Sequence, residues 1–168
     1  AFKAKPAALD DAYRAGLALD RRLVPDHPNV ATALTGLGWI LLEEGHAAEA
    51  EALLREAAEI RKKTLPAGHP DAAVTESILG QSLAAQGRHA EAAESFARAV
   101  ALQPNAPELE NDLANARYAL GRTDEAVAGL RRALERAPDN ASVHHNLGLL
   151  LLAQGRFEEG WRESRWRV

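Results

Sequence analysis

The chain has no cysteine. It therefore has no disulfide framework and no thiol chemistry. Methionine is absent as well, position 1 included, which suggests an excised or processed piece whose ends are not natural ends. Aromatic residues make up only 5%, and β-branched residues are few, which disfavours sheets. No apolar run approaches the roughly 18 residues of a membrane-spanning helix, and no signal peptide is recognisable. Net charge is -4 with both signs interspersed; without a polybasic stripe, neither nucleic acid nor an acidic membrane surface is expected as a partner. No glycine-rich phosphate loop follows a strand-like stretch.

What is present is alanine and leucine, both strong helix formers. Apolar residues reach 46% and charged residues 26% over 168 positions, the profile of a folded chain that is one domain or a short repeat array. The clearest unit runs from Pro107 to Asn140: two amphipathic helical stretches, broken at Gly121 and closed at Pro138. Such a pair cannot bury its apolar face alone and calls for stacked copies. The copies are legible. His27-Pro28 and His69-Pro70 lie 42 residues apart, as do Leu37-Gly38 and Leu79-Gly80, and Gly45 and Gly87. Downstream the interval is 34: Gly87, Gly121 and Gly155 keep it, with Leu79, Leu113 and Leu147.

These spacings predict an orphan second helix over 7–23, then helix pairs over 31–72, 73–106, 107–140 and 141–168, about nine helices in a single all-α array. Gly38, Gly80, Ala114 and Gly148 recur in the first helix of each pair, and Ala50, Ala92, Ala126 and Gly160 in the second. Small residues at facing positions let helices approach closely. Leu54, Phe96 and Leu130 are expected to reach from the second helices to the next pair. Glycines 45, 87, 121 and 155 should end the first helices in the left-handed conformation.

No residues assemble a credible catalytic group. His27 and His69 occupy equivalent interhelix punctuation; His46 and His89 follow turn glycines and should be exposed. His144 and His145 are adjacent, so on a helix they point about 100° apart and cannot chelate as an i, i+4 pair would. Asp124-Glu125 and Glu158-Glu159 fall in helix first turns, where the dipole favours negative charge. Ser77, Ser82 and Ser95 lack a His/Asp partner in sequence. The expectation is a chain that is not an enzyme and holds no cofactor and no metal.

Leu-Gly in the first helix, glycine at the turn, alanine early in the second helix, a large apolar residue four later and proline at the close resemble the tetratricopeptide repeat (TPR). The resemblance covers all but the first few residues and implies a right-handed α-solenoid, a superhelix of helix–turn–helix repeats. The 42-residue spacing with Asp-His-Pro or Gly-His-Pro punctuation resembles kinesin light chain repeats and their bacterial relatives, with an eight-residue extension around Lys62 to Asp71. The ending, Gly160-Trp161 followed by Trp166-Arg167, is similar to the last repeat of bacterial TPR proteins that continue into a glycosyltransferase-like domain, but Ser164 departs from that pattern.

In the family, the groove-facing sites of the first helix are its second, fifth, sixth, ninth, twelfth and thirteenth positions. Carried over, the resemblance implies a lining that includes Thr32, Thr35, Trp39 and Glu43; Ser77, Gln81 and Ala84; Glu108, Asn111, Asp112, Asn115 and Tyr118; and Ser142, His145, Asn146 and Leu149. Trp39, Gln81, Asn111, Asn115, Tyr118, His145 and Asn146 are the expected peptide-binding residues, with Trp39 and Tyr118 as anchors. The Lys/Asn/Arg clamp for C-terminal carboxylates is missing: Thr32, Thr35 and Ser142 stand where longer polar or basic groups are needed. The implied role is a cytoplasmic, bacterial scaffold that binds a protein or peptide. The alternatives are the substrate-recognition arm of a larger enzyme, such as a glycosyltransferase, and self-association into a homo-oligomer through exposed end helices, Ala7 to Leu23 and Phe157 to Val168.

Overall fold

In the computed structural model, Arg14 and residues 26–166 are described. The helix expected over 7–23 lies, Arg14 apart, outside the described residues. Eight helices follow in order: α1 (Pro28–Glu43), α2 (Ala47–Thr64), α3 (Pro70–Ala85), α4 (His89–Leu102), α5 (Pro107–Ala119), α6 (Thr123–Arg136), α7 (Ala141–Ala153) and α8 (Phe157–Ser164). No strand occurs among the described residues. The fold is all-α, an α-solenoid in which every helix packs on its chain neighbours.

Local chemistry sets the boundaries. Proline opens α1, α3 and α5, where its missing N–H would have no partner anyway. The imidazoles of His27 and His69 are N-caps: each Nδ1 accepts the backbone N–H two residues on, at 3.2 Å. The first helices all end alike. Gly45, Gly87, Gly121 and Gly155 have φ between +73° and +85°, as expected. His46, Arg88, Arg122 and Arg156 each return a backbone N–H to the carbonyl five residues back, at 2.8–3.0 Å. This pairing satisfies carbonyls that the helix end would orphan.

The eight extra residues of the longer repeat are shared out. Helix α2 has 18 residues against 14 in α4 and α6, and α3 has 16 against 13 in α5 and α7. The remaining residue lengthens the loop between α2 and α3.

Glycine is needed in the first helices for proximity. A Cβ on Gly38 would lie 2.8 Å from Leu54 Cγ, and one on Gly80 would lie 2.7 Å from Phe96 Cε1. Leu54 and Phe96 press on the small residue of their own pair, and Phe96 also faces Asp112, Asn115 and Ala116 of the next pair across a shared notch. In the last pair, Gly148 and Gly160 face each other directly, and a Cβ on Gly148 would meet Gly160 O and Ser164 N at 3.1 Å.

Curvature follows from which helices touch. The backbones of α1 and α3, α3 and α5, and α5 and α7 approach within 8 Å (Cα to Cα), whereas those of α2 and α4, α4 and α6, and α6 and α8 do not. Helix α2 reaches α4, and α6 reaches α8, through the long side chains of Arg55–Glu91 and Arg131–Glu159. First helices therefore crowd the inside of the curve and second helices splay over the outside, leaving a hollow face built by α1, α3, α5 and α7.

Candidate functional site

The exposed large apolar side chains fall into two groups. Trp39, Val74, Tyr118 and Leu149 are 49%, 48%, 47% and 50% exposed, one on each of α1, α3, α5 and α7. Counting each first helix by the repeat, they occupy the ninth, second, twelfth and ninth positions, which at about 100° per residue fall on one side of the helix and are groove positions in the family's count. Phe157, Trp161 and Trp166, also exposed, lie on or just after α8. Burying apolar surface is the main drive to fold, so one exposed apolar residue per level, all on one face, forms a stripe open to another molecule.

Polar groups fill the space between. Gln81 Nε2 donates to Asp112 Oδ2 at 3.3 Å, tying α3 to α5 across the floor. Around them a notch of about 270 Å³ is lined by Gln81, Ala84, His89, Phe96, Asp112, Asn115 and Ala116. Burial pushes the Asp112 carboxyl above the usual carboxylate range; the Gln81 hydrogen bond opposes this, and the Glu108 charge adds to it. Asn111 Oδ1 is buried and accepts no hydrogen bond.

Of the residues expected to bind, Trp39, Gln81, Asn115, Tyr118 and His145 are exposed, while Asn111 and Asn146 are half-buried. The notch brings Gln81 and Asn115 together; Trp39 and His145 lie levels away, on α1 and α7. Thr35 is not part of the lining. It is 6% exposed, donates to Ala31 O at 2.8 Å and meets the Thr75 hydroxyl at 3.2 Å. His89, expected to be exposed, is half-buried against the notch. Val74 was missed, because the equivalent residues Thr32, Glu108 and Ser142 are polar; its position in the repeat was the available signal.

Most of the other polar clusters join helix to helix. Arg61 is buried and donates to Asp71 O and Thr75 Oγ1, with Thr32 Oγ1 at 3.5 Å, so it pins α2 to α1 and α3. Glu51 accepts from Arg88, from Arg55 at 2.9 Å and from Gln86 at 2.9 Å. Burial opposes its ionisation, but these three donors prevail and hold it at about 2. His144 bridges the Glu163 carboxylate and Pro138 O and stacks on Trp166 with ring centroids 4.2 Å apart. Ser82 donates to Ala47 O at 2.6 Å, and Ser95 accepts from Arg98 at 2.8 Å. A cleft of about 840 Å³ opens on the outer face between α2 and α4. Its charges are largely paired within the molecule: Arg98 with Glu76 and Arg55 with Glu51, both at 2.9 Å. Among the described residues, no group of three or more His, Asp or Glu is placed to hold a metal ion, and no helix is long and apolar enough to cross a membrane.

The architecture is that of a helical-repeat solenoid with a lined hollow. One tetratricopeptide repeat model matches residues 10–63 and 47–105, a second residues 83–145 and a third residues 130–162. The chain belongs to the tetratricopeptide repeat family. Among curated proteins, none matches it. Solved structures share its right-handed superhelical fold. The nearly identical TPR-like repeats of a kinesin-light-chain-type protein of Podosopora anserina align with a TM-score of 0.84 at 22% identity, covering 96% of this chain and 85% of that one. MamA aligns at 0.74 with 15% identity over 99% of this chain and 94% of its own. YrrB, described as a TPR protein with an unusual peptide-binding site, aligns at 0.73 with 21% identity over 94% and 75%. At these identities the likeness is one of fold.

Proposed function

We propose that the chain is a protein-interaction scaffold that receives an extended segment of a partner along the hollow face, without chemistry of its own. The observation that carries this reading is the stripe of Trp39, Val74, Tyr118 and Leu149, one half-exposed apolar side chain per level. Apolar and aromatic anchors dominate binding energy when a partner covers them. The amides of Asn111, Asn115 and Gln81 both donate and accept, which suits a peptide backbone. YrrB, with its peptide-binding site on the same fold, supports the reading. So do the structural bonds of Ser82 and His144 between helices and of the buried Ser95 with Arg98 of its own helix.

The test is affinity capture from the source lysate with the parent chain and with Trp39→Ala/Tyr118→Ala. Loss of the same partner, with helicity unchanged by circular dichroism, supports the hollow as the binding face. Retention of that partner by the double variant removes it.

A second reading, self-association, is favoured by the exposed Phe157, Trp161 and Trp166 at α8. Light scattering across concentrations tests it. A monomer at high concentration removes it, and a dimer abolished by Trp161→Ser supports it.

A further inference from the structure

The hollow differs in charge from the outside of the curve. The second helices carry arginine or lysine in every pair, whereas the four first helices together hold one, Arg117. That side chain is directed to Glu125 of α6, at 3.6 Å. The groove positions of the first helices hold Glu43, Glu108 and Asp112 and no basic residue except His145.

Asp112 is the focus of this acidity. It is half-buried at the notch between α3 and α5, and among the described residues no Lys or Arg forms an ion pair with it. Burial pushes its carboxyl up, Gln81 partly offsets that, and Glu108 adds a like charge. A carboxylate in this condition is relieved by a cationic N–H donor.

We infer that the segment bound in the hollow is basic: a Lys or Arg side chain enters the notch between α3 and α5 and donates to Asp112, while apolar side chains on either side of it cover Trp39 with Val74, and Tyr118 with Leu149. This rests on the hollow being the binding face. The notch, about 270 Å³ with Gln81, His89 and Asn115 on its walls, has room for one long side chain. Packed helices are spaced about 8–10 Å apart and an extended chain advances about 3.3 Å per residue. The apolar residues therefore sit about three positions before and after the basic one. An acidic segment, or a nucleic-acid backbone, would set negative charge against Glu108 and Asp112.

The experiment is selection of phage-displayed random peptides, about a dozen residues long, on the folded chain. Selected peptides are then measured by fluorescence anisotropy against the parent, Trp39→Ala/Tyr118→Ala, Asp112→Asn and Glu108→Gln, each checked for helicity. The expected peptides carry net positive charge and apolar residues at that spacing. Asp112→Asn should weaken them about tenfold, as for loss of a charge-assisted hydrogen bond, and make their affinity less sensitive to salt. Glu108→Gln, at an exposed position that leaves the packing intact, should weaken them about two- to threefold. Neutral or acidic peptides that are lost in the aromatic double variant would overturn the basic occupant and leave the hollow as the binding face. So would basic peptides indifferent to both acidic substitutions. Peptides indifferent to the aromatic double variant, or no enrichment at all, would overturn both.

Discussion

Phe96 occupies the space that a side chain on Gly80 would need: a Cβ there would stand 2.7 Å from Cε1 and 2.8 Å from Cδ1 of the ring. The same register holds Gly38 with Leu54 one pair earlier and Ala114 with Leu130 one pair later, all of them buried. The third pair sets alanine against leucine, but the first pair keeps glycine against leucine, with Leu54 Cγ only 2.8 Å from where a Cβ on Gly38 would stand. A leucine partner therefore does not by itself make room for the methyl; the approach of the two helices decides it. Gly80→Ala alone should therefore destabilise the protein by about 1–3 kcal/mol through overpacking, despite the roughly 1 kcal/mol gained in helix propensity. Adding Phe96→Leu, which relieves the ring contact but still leaves a leucine as close as Leu54 is to Gly38, should restore only part of the loss. Urea denaturation midpoints of the two single variants and the double variant check this.

Most of the fold was legible in the sequence because the solenoid is periodic. Glycine at 45, 87, 121 and 155 has one physical use, a left-handed helix end, and the interval between copies fixes helix length. Pair-closing contacts were less legible. Spacing places Leu54 and Phe96 on a buried face without saying which of two neighbouring helices they meet. Within the hollow, Trp39 and Tyr118 stood out as aromatics at groove positions, but Val74 did not, because the equivalent residues of the other pairs are polar. Thr35 looked like lining, because nothing local announces the hydrogen bonds that draw it inward to Thr75. Such long-range partners, like the contact between Arg61 and Thr75, exist only once the stack has formed.

Arg61 tests how far one polar side chain holds the longer repeat to its neighbours. Its guanidinium is buried and serves acceptors on both adjoining first helices. Arg61→Met removes these bonds, while the Thr75 hydroxyl keeps its bonds to Asp71 O and Thr35, at an expected cost of about 1–2 kcal/mol. Arg61→Lys should recover little, since a single ammonium cannot reproduce the planar fork. Hydrogen exchange should show the loss concentrated in α1–α3, and a uniform loss over all eight helices would contradict this account.

Glu51 makes acid stability local. Its carboxyl is held at about 2 in the fold, against 4.5 for the ordinary side chain. A carboxyl with a depressed folded value binds fewer protons folded than unfolded, so stability falls as pH drops. The contribution is fully present above about pH 5 and is lost as pH falls from there through 2. Because Arg88 and Arg55 are solvent-exposed partners, screening reduces its size to about 1 kcal/mol. Glu51→Gln should flatten the stability profile between pH 5 and 2 and leave the slope above pH 6 unchanged. Urea unfolding at a series of pH values measures both.

The apolar stripe gives the sharpest separation between packing and binding. Trp39, Tyr118 and Leu149 each leave about half of their surface in water, so truncating them forfeits little buried area. Exposed positions away from caps and ion pairs usually change stability by no more than about 0.5 kcal/mol. Trp39→Ala, Tyr118→Ala and Leu149→Ala should each stay within that range, in contrast to the buried Leu54 or Leu130, where truncation to alanine should cost about 2–5 kcal/mol. If the three variants unfold as readily as the core variants, the stripe is part of the packing and the hollow has no free apolar surface to offer. If they are neutral for folding, these side chains are not retained for stability, and any partner whose binding falls with them is read by the hollow itself.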